Sequence, residues 1–207
     1  TPQILVRGVF MTYKKKICLE KSMITSTSNQ QMKNLMLLMK KAKARNEQEL
    51  FVVEGRKMFQ EVPKEWLKQV YVSESFFAEN DKMLAGYTYE IVSDSVFKAV
   101  SDTQTPQGIL CLVRKPQYRL EELLKGADTH LLILESIQDP GNLGTMLRTG
   151  EGAGISGVVM NHTTVDLFNP KTIRSTMGSI YRMPFFVTRD LAETCLLYTS
   201  DAADDTP

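Results

Sequence analysis

The sequence has few of the residues that bind metals or form disulfide bonds. It contains three cysteines and two histidines among 207 residues. Cys18, Cys111 and Cys195 are odd in number and far apart in the chain, so they form neither a disulfide framework nor a metal-binding spacing. The sequence therefore predicts no structural zinc site and no other bound metal.

Long apolar runs are also missing. The apolar stretches have the length of strands, whereas a membrane helix needs about 20 consecutive apolar residues. Residues 1–22 are basic but have neither the apolar core nor the small-residue cleavage site of a secretory signal peptide. We therefore predict no contact with a membrane and a location in the cytoplasm.

The sequence has no overall excess of one charge, since its net charge is +1. The charges are unevenly distributed, because residues 1–45 contain ten Lys or Arg and one Glu, or +9, which leaves −8 for the remainder. A basic N-terminal region can contact nucleic-acid phosphates. A solvated basic tail and helix face explains the charge equally well.

Short strands and helices alternate in the first half of the chain. Met32, Leu35, Met36 and Met39 recur at helical spacing and predict a helix over residues 28–45. Further patterns predict strands at 49–53, 70–72, 89–92 and 108–113, and helices at 56–62 and 93–100. This alternation predicts a small α/β domain that ends at a proline-containing linker.

The second half opens with a strand, a helix and a second strand. The apolar run 131–134 predicts a buried strand, and residues 139–141, Asp-Pro-Gly, predict a turn. An apolar face predicts a helix over 143–153, which Gly154 ends. A second strand begins at residues 157–160. This βαβ unit predicts a parallel sheet, in which functional residues gather at the carboxyl ends of the strands.

Residues 135–142 are predicted to form a polar loop after the first of these strands, and further polar residues open a later helix. Asn142 has an amide that can donate and accept hydrogen bonds, although it can also close the loop as an Asx-turn. Glu135 ends the first strand and can accept a hydrogen bond from a ligand hydroxyl or act as a cap. Asn169-Pro170 predicts another helix start. Lys171 and Arg174 lie one turn apart on that helix, which suits a phosphate contact but equally a solvated face.

Residues Gly152 to Gly157 match the dinucleotide-binding pattern G-x-G-x-x-G. In a Rossmann fold this pattern follows a strand and opens a helix, whereas here it ends a helix and enters a strand. We therefore do not predict a dinucleotide-binding dehydrogenase.

Two segments of the second half resemble the motifs of a known enzyme family. Asn142, Gly144, Arg148 and Thr149 fit N-x-G-x-x-x-R-T, which is motif 1 of the SpoU (TrmH-like) RNA ribose 2′-O-methyltransferases of the SPOUT class. The stretch NPKTIRSTMGSIYRMPFF resembles motif 2 at Arg174, Ser175, Gly178 and Pro184. The resemblance implies an α/β fold with a parallel-sheet methyltransferase domain and a trefoil knot.

The same resemblance implies transfer of a methyl group from S-adenosylmethionine to a ribose 2′-hydroxyl of rRNA or tRNA. It assigns the catalytic roles to Arg148 and Asn142. An arginine has a pKa above about 12 and is no general base, but it can stabilise a developing alkoxide. The competing interpretation of Arg148 is an ion pair with Glu151, three residues further along the helix.

The first half resembles the L30e-like substrate-binding domain that precedes many SpoU methyltransferases, through ELFVVEGRKMFQEV and SDTQTPQGILCLV. Such a domain helps to bind RNA. Gly55, Thr105 and Gly108 are candidate contacts, although both glycines can simply turn the backbone. Together with motif 2, the resemblance predicts five RNA-binding residues: Arg56, Gln107, Lys171, Arg174 and Ser175.

The chain divides into four predicted segments. Residues 1–22 are expected to be a non-native or disordered extension, 23–114 the RNA-binding domain and 118–194 a partial methyltransferase domain. Residues 195–207 resemble a translated sequencing adapter. Because nothing in the chain resembles the third SpoU motif, we expect an incomplete knot and an inactive chain, and we assign no cofactor-binding residues. The family resemblance implies a homodimer for the intact protein.

The alternative function is that of a non-catalytic RNA-binding protein. It would combine the L30e-like domain with a decayed knot domain. The presence of both Asn142 and Arg148 argues against such decay.

Overall fold

A computed structural model describes residues 23–125 and 128–196. The chain forms two α/β units, each built around its own sheet. The predictions for residues 1–22, and those for the tail from residue 197 onwards, lie outside the described residues. No helix in the described ranges is long and apolar enough to cross a membrane.

The N-terminal unit contains a mixed four-stranded sheet with the order β1-β4-β2-β3. Strand β4 is antiparallel to both of its neighbours, and β2 is parallel to β3. The elements of this unit are α1 (Gln30–Lys40), α2 (Ala42–Gln48), β1 (Leu50–Glu54), α3 (Arg56–Glu61), β2 (Leu67–Ser73), α4 (Glu74–Asn80), β3 (Tyr89–Val92), α5 (Asp94–Val100) and β4 (Ile109–Arg114).

The helix predicted over residues 28–45 is wrong in one respect, because it is two helices that meet at Lys41. The backbone of Lys41 is extended, with φ −122° and ψ 112°. Such a break leaves carbonyl groups at the end of α1 without helical partners. The Arg45 guanidinium replaces the missing backbone N–H donors. It donates hydrogen bonds to the carbonyl oxygens of Leu38 at 2.5 Å and Met39 at 3.0 Å.

The C-terminal unit confirms the predicted parallel βαβ arrangement. Its three strands are parallel, in the order β5-β6-β7. A short helix, α6, was not predicted, and it packs Leu120 and Leu123 against Val159 on one face of this sheet. The elements of this unit are α6 (Leu120–Leu123), β5 (Leu131–Leu134), α7 (Pro140–Gly152), β6 (Gly157–Asn161), α8 (Pro170–Thr176) and β7 (Phe185–Thr188).

The turn predicted at residues 139–141 is instead the start of α7. Asp139 is the N-cap, and its carboxylate accepts a hydrogen bond of 2.7 Å from the backbone N–H of Asn142. Pro140 suits the first helical position because its φ is preset and its missing N–H would be unpaired there. The end of the helix is as predicted, since Gly154 has a φ of +78° just beyond the cap at Ala153.

The edge strands of the small sheet carry exposed apolar side chains. Within the described residues β5 and β7 are its two edges, and Ile133 and Val187 are 43% and 48% exposed. The prediction of a buried strand at 131–134 is therefore wrong except at Leu134, because β5 lies at an edge of the sheet. Unpaired apolar strand edges favour association between chains.

The two units share one apolar core. Buried side chains of β1, α3 and β4 cluster with those of α7, α8 and β7. The rings of Phe51 and Phe168 lie 4.8 Å apart across this boundary, and the Tyr181 hydroxyl donates a hydrogen bond of 3.2 Å to the Met58 carbonyl. Burial raises the pKa of Tyr181 well above its usual range. The continuous core fixes the N-terminal unit against the helices that carry both sequence motifs.

Gly144, a motif residue, allows α7 and α8 to approach closely. A Cβ at this position would lie 2.5 Å from the Cβ of Ser175 and 2.6 Å from the carbonyl oxygen of Thr172. Neither atom is the flexible end of a side chain, so an added methyl group forces the two helices apart. The glycine is therefore required by packing between the helices of motifs 1 and 2.

We expect Gly144→Ala to lower the free energy of unfolding by about 1–3 kcal/mol, because overpacking outweighs the gain in helix propensity. Urea unfolding measures this change. Gly152→Ala is the matched control, since it lies on the same helix and a Cβ there meets no atom within 4 Å. Equal stability of the two variants would contradict the packing role of Gly144.

Candidate functional site

Helix α7 carries both predicted catalytic residues on its exposed surface. Asn142 lies in the first turn and not in the preceding loop, where the sequence had placed it. Arg148 follows six residues later, or about 9 Å along the helix axis, and both side chains are exposed. The helix therefore presents an amide and a guanidinium to solvent beyond the carboxyl end of β5, but does not bring them together at one point.

The Arg148 guanidinium has no hydrogen-bond or ion-pair partner among residues 23–125 and 128–196. The alternative pairing with Glu151 does not occur. The Glu151 carboxylate instead accepts hydrogen bonds from Nε and Nη2 of Arg182. Arg148 is thus a solvent-facing cation on the helix of motif 1.

The three predicted RNA-binding residues of α8 are engaged within the protein. Lys171 Nζ lies 3.4 Å from a carboxylate oxygen of Asp139, and Arg174 Nη1 donates to Asp102 at 2.8 Å. The Ser175 hydroxyl donates to the Lys171 carbonyl at 2.9 Å. Both ion pairs are partly exposed, so each cation can exchange its carboxylate for another anion at little cost.

The carboxylate of Asp139 connects α7 to α8. Its pKa is lowered by the hydrogen bond from the Asn142 backbone N–H and further by Lys171. The N-cap carboxylate of α7 therefore stays ionised at pH values that would protonate an ordinary aspartate. Sequence reasoning missed this residue as part of the site, although an Asp before Pro is a helix-start signal.

Arg56 and Gln107 meet at one end of the N-terminal unit. The Gln107 side-chain oxygen accepts a hydrogen bond of 2.9 Å from the Arg56 backbone N–H, and the Arg56 guanidinium lies 5.1 Å from the centre of the Phe76 ring. These three residues line a cavity of about 240 Å³, together with Asp94 and Lys98. The two residues predicted from the resemblance therefore share one polar, solvent-open pocket.

The glycines beside this pocket have structural roles. Gly55 and Gly108 have φ values of +108° and +79°, which L-residues rarely adopt. A Cβ on Gly108 would also lie 2.7 Å from the Cβ of Phe76. Thr105 is exposed on the same loop.

A second cavity, of about 780 Å³, opens at the carboxyl ends of β6 and β7. Asn161, His162 and Phe186 belong to its lining, as does Lys115 of the segment between the two units. Burial lowers the pKa of Lys115, whose ammonium lies 4.6 Å from the centre of the Phe168 ring. This is the sheet edge where parallel α/β proteins bind their ligands.

Within residues 23–125 and 128–196 no three His, Cys, Asp or Glu side chains are close enough together to hold a metal ion.

Two known families match the chain, in the order of the two units. Residues 29–111 match the MRM3-like substrate binding domain, and residues 129–202 match the SpoU rRNA Methylase family. The second unit is a SpoU rRNA methylase domain. The structure thus combines a substrate-binding domain with the methylase helix that carries Arg148.

Two proteins of similar sequence are named as rRNA methyltransferases. The chain is 35% identical over 163 residues to the 23S rRNA (guanosine(2553)-2′-O)-methyltransferase RlmP of Bacillus subtilis, covering 78% of this chain and 63% of that protein. It is 34% identical over 173 residues to the human mitochondrial rRNA methyltransferase 3, covering 75% of this chain and 39% of that protein. The chain thus spans less than two thirds of either relative.

Solved structures have the same architecture. The chain matches the AdoMet-bound rRNA methyltransferase of Sinorhizobium meliloti with a TM-score of 0.68 and 25% identity, covering 80% of this chain and 64% of that one. It matches an RNA 2′-O ribose methyltransferase with a TM-score of 0.70 and 29% identity, covering 86% and 69%. These matches confirm the SPOUT-type methyltransferase fold that the motifs implied.

Proposed function

We propose that the intact protein containing this chain transfers a methyl group from S-adenosylmethionine to a ribose 2′-hydroxyl of rRNA. The unpaired Arg148 on the motif 1 helix carries the proposal, because a solvent-facing cation at this position is what the reaction requires. The relatives support rRNA as the substrate, since both are named rRNA methyltransferases. Transfer RNA is the alternative substrate.

The reaction needs a 2′-hydroxyl oxygen to attack the methyl carbon, while the bond from that carbon to the cofactor sulfur breaks. A ribose hydroxyl is a weak nucleophile until its proton leaves. Arg148 stays protonated and cannot accept that proton, which passes to solvent water. We therefore assign to Arg148 the stabilisation of the oxyanion and of the neighbouring phosphate. Asn142, whose side-chain amide has no partner among the described residues, would orient the nucleotide from the first turn of the same helix.

The cavity at the carboxyl ends of β6 and β7 fits a small-molecule cofactor in size and composition. Its volume of about 780 Å³ lies within the usual range for such sites, about 300–1,000 Å³. Phe186 offers an apolar wall for the adenine ring, and Asn161 and His162 offer polar groups. S-adenosylmethionine, when bound, supplies the electrophilic methyl group.

The substrate RNA would contact both units. Arg56 and Gln107 form a pocket in which an unpaired base can stack on the guanidinium, a common mode of single-strand recognition. Lys171, Arg174 and Ser175 of α8 would bind phosphates by exchanging their present carboxylate and carbonyl partners. We propose the cytoplasm as the location, with the mitochondrion as the alternative that the human relative suggests. A homodimer stays a prediction, which light scattering on the intact protein measures.

The direct test incubates the intact protein with S-adenosylmethionine labelled in its methyl group and with unmodified rRNA or tRNA transcripts. We expect label in rRNA. Label in tRNA alone would identify tRNA as the substrate in place of rRNA. RNA binding without any methyl transfer would support the non-catalytic alternative and contradict the proposal.

Substitution of Arg56 by alanine is expected to weaken RNA binding about tenfold, since one stacking contact contributes about 1–3 kcal/mol. Filter binding at several salt concentrations measures this effect. Lys68→Ala is the matched control, because Lys68 is exposed near the opposite end of β2 from Ser73, which lines the pocket. An equal loss of RNA affinity in both variants would mean that Arg56 contributes only its positive charge and no specific contact in the pocket.

A further inference from the structure

Arg182 joins three parts of the molecule. It lies between the short turn Ser179–Tyr181 and β7. Its Nε and Nη2 donate to the two carboxylate oxygens of Glu151 on α7, and its Nη1 donates to Glu61 at 2.7 Å. Glu61 is the last residue of α3 in the N-terminal unit. One guanidinium thus bridges both motif segments and the substrate-binding domain.

The backbone around Arg182 is shaped for this bridge. Gly178 has a φ of +100°, and a Cβ at this position would overlap the carboxylate of Glu61. Only a glycine lets the Glu61 carboxylate sit against the turn that leads into Arg182. Lys57 lies 3.8 Å from the same carboxylate, on the preceding turn of α3.

Glu151 has two possible cationic partners. Arg148 lies three residues before it on α7, and side chains at this spacing are neighbours on a helix surface. Arg182 reaches Glu151 from a different segment and makes two hydrogen bonds with its planar fork. A bidentate contact of this kind is stronger and better oriented than a single flexible pair. Glu151 is therefore bound by Arg182, and Arg148 stays unpaired.

We propose that Arg182 is a positioning residue: by binding Glu151 and Glu61 it keeps the carboxylate of Glu151 away from Arg148 and so leaves the Arg148 guanidinium free for the RNA. The importance of this arrangement for turnover rests on the proposed function. The pairing itself does not, because it concerns only which cation binds Glu151. Removal of Arg182 releases Glu151, and Arg148 becomes its nearest cation on α7.

The pairing state of Arg148 can be measured without any enzyme activity. Phenylglyoxal modifies guanidinium groups, and an ion-paired guanidinium reacts more slowly than a free one. Peptide mass spectrometry of the full chain then gives a modification rate for each arginine. Arg119 is an internal reference, because it is exposed and has a glutamate, Glu122, at i+3 with which it is paired at 3.4 Å. In the unsubstituted protein Arg148 is expected to react faster than Arg119.

Arg182→Ala should slow the modification of Arg148 by about twofold, which is the effect expected from an ion pair at this spacing, and leave Arg119 unchanged. The double variant Arg182→Ala/Glu151→Gln should restore the rate, because no carboxylate is left to pair with Arg148. Glu151→Gln alone should leave it unchanged. Arg182→Lys keeps the charge but loses the fork, so it gives an intermediate rate and replaces the alanine variant if that variant does not fold.

An unchanged Arg148 rate after loss of Arg182 would overturn the proposal, and so would a slow rate that persists in the double variant. Turnover of the intact protein should follow the same order, with loss in the single variant and recovery in the double. A purely structural role for Arg182 predicts no such recovery. If the unsubstituted protein transfers no methyl group, the proposed function fails, whereas the modification rates still decide the role of Arg182.

Discussion

Arg148→Ala should lower turnover of the intact protein about a hundredfold or more, while the affinity for S-adenosylmethionine changes little. The guanidinium stabilises the negative charge that develops on the ribose oxygen in the transition state. Its removal therefore raises the activation free energy more than it weakens binding. Removal of one such group costs about 2.7–4 kcal/mol. Single-turnover kinetics with saturating cofactor and RNA measure the effect.

Arg119→Ala is the control for this substitution, because it also removes an exposed guanidinium. Arg119 has a glutamate three residues further along the chain, as Arg148 does. It should leave turnover unchanged. Arg148→Lys should recover part of the rate, since it keeps the charge but loses the planar fork. Near-normal turnover of Arg148→Ala would assign Arg148 a structural role and remove the main support for the proposed function.

Asp166→Ala should lower the free energy of unfolding by about 3 kcal/mol, the cost of breaking a buried ion pair from one side. The Arg45 side chain is 3% exposed, and its Nε and Nη2 donate to Asp166 at 2.8 and 2.6 Å. The remaining donors bind the carbonyl oxygens at the break between α1 and α2. Without Asp166, the guanidinium stays buried with two donors unpaired. Urea unfolding gives the change, and an unaltered m-value confirms that one cooperative transition is being compared.

The double variant Arg45→Met/Asp166→Ala separates the ion pair from the loss of packing. It should be less destabilised than the two single changes together, because it leaves no buried charge behind. A decrease of less than about 1 kcal/mol in the free energy of unfolding of Asp166→Ala would be typical of a solvent-exposed ion pair. That result would contradict our assignment of this contact as a buried ion pair between the N-terminal unit and the loop before α8.

The order of elements in the C-terminal unit could be predicted from the sequence because its signals are local. The apolar run 131–134 gives β5, and Asn169-Pro170 gives the start of α8, as observed. The break at Lys41 could not be predicted. It depends on Arg45, whose guanidinium is held by an aspartate 121 residues away. A helical pattern that continues through Lys41 contains no sign of that contact.

The candidate site shows the same limit. Motif spacing placed Asn142 and Arg148 on or next to one helix, but the pairing state of Arg148 depends on residues far away in the chain. Arg182 is 31 residues from Glu151 and 121 from Glu61. The partner of Arg174, Asp102, is 72 residues away. Local periodicity identifies which face of a helix is polar, whereas only the tertiary fold decides which charges on that face are neutralised.

The position of the transferred methyl group tests the central claim most directly. A ribose 2′-O-methyl group removes the hydroxyl that attacks the adjacent phosphodiester, so RNA resists alkaline cleavage at that nucleotide. After reaction of the intact protein with unmodified rRNA, alkaline hydrolysis and mass spectrometry should give one alkali-resistant dinucleotide that carries the label on its ribose. Label on a base, or no label in any rRNA fragment, would contradict the account.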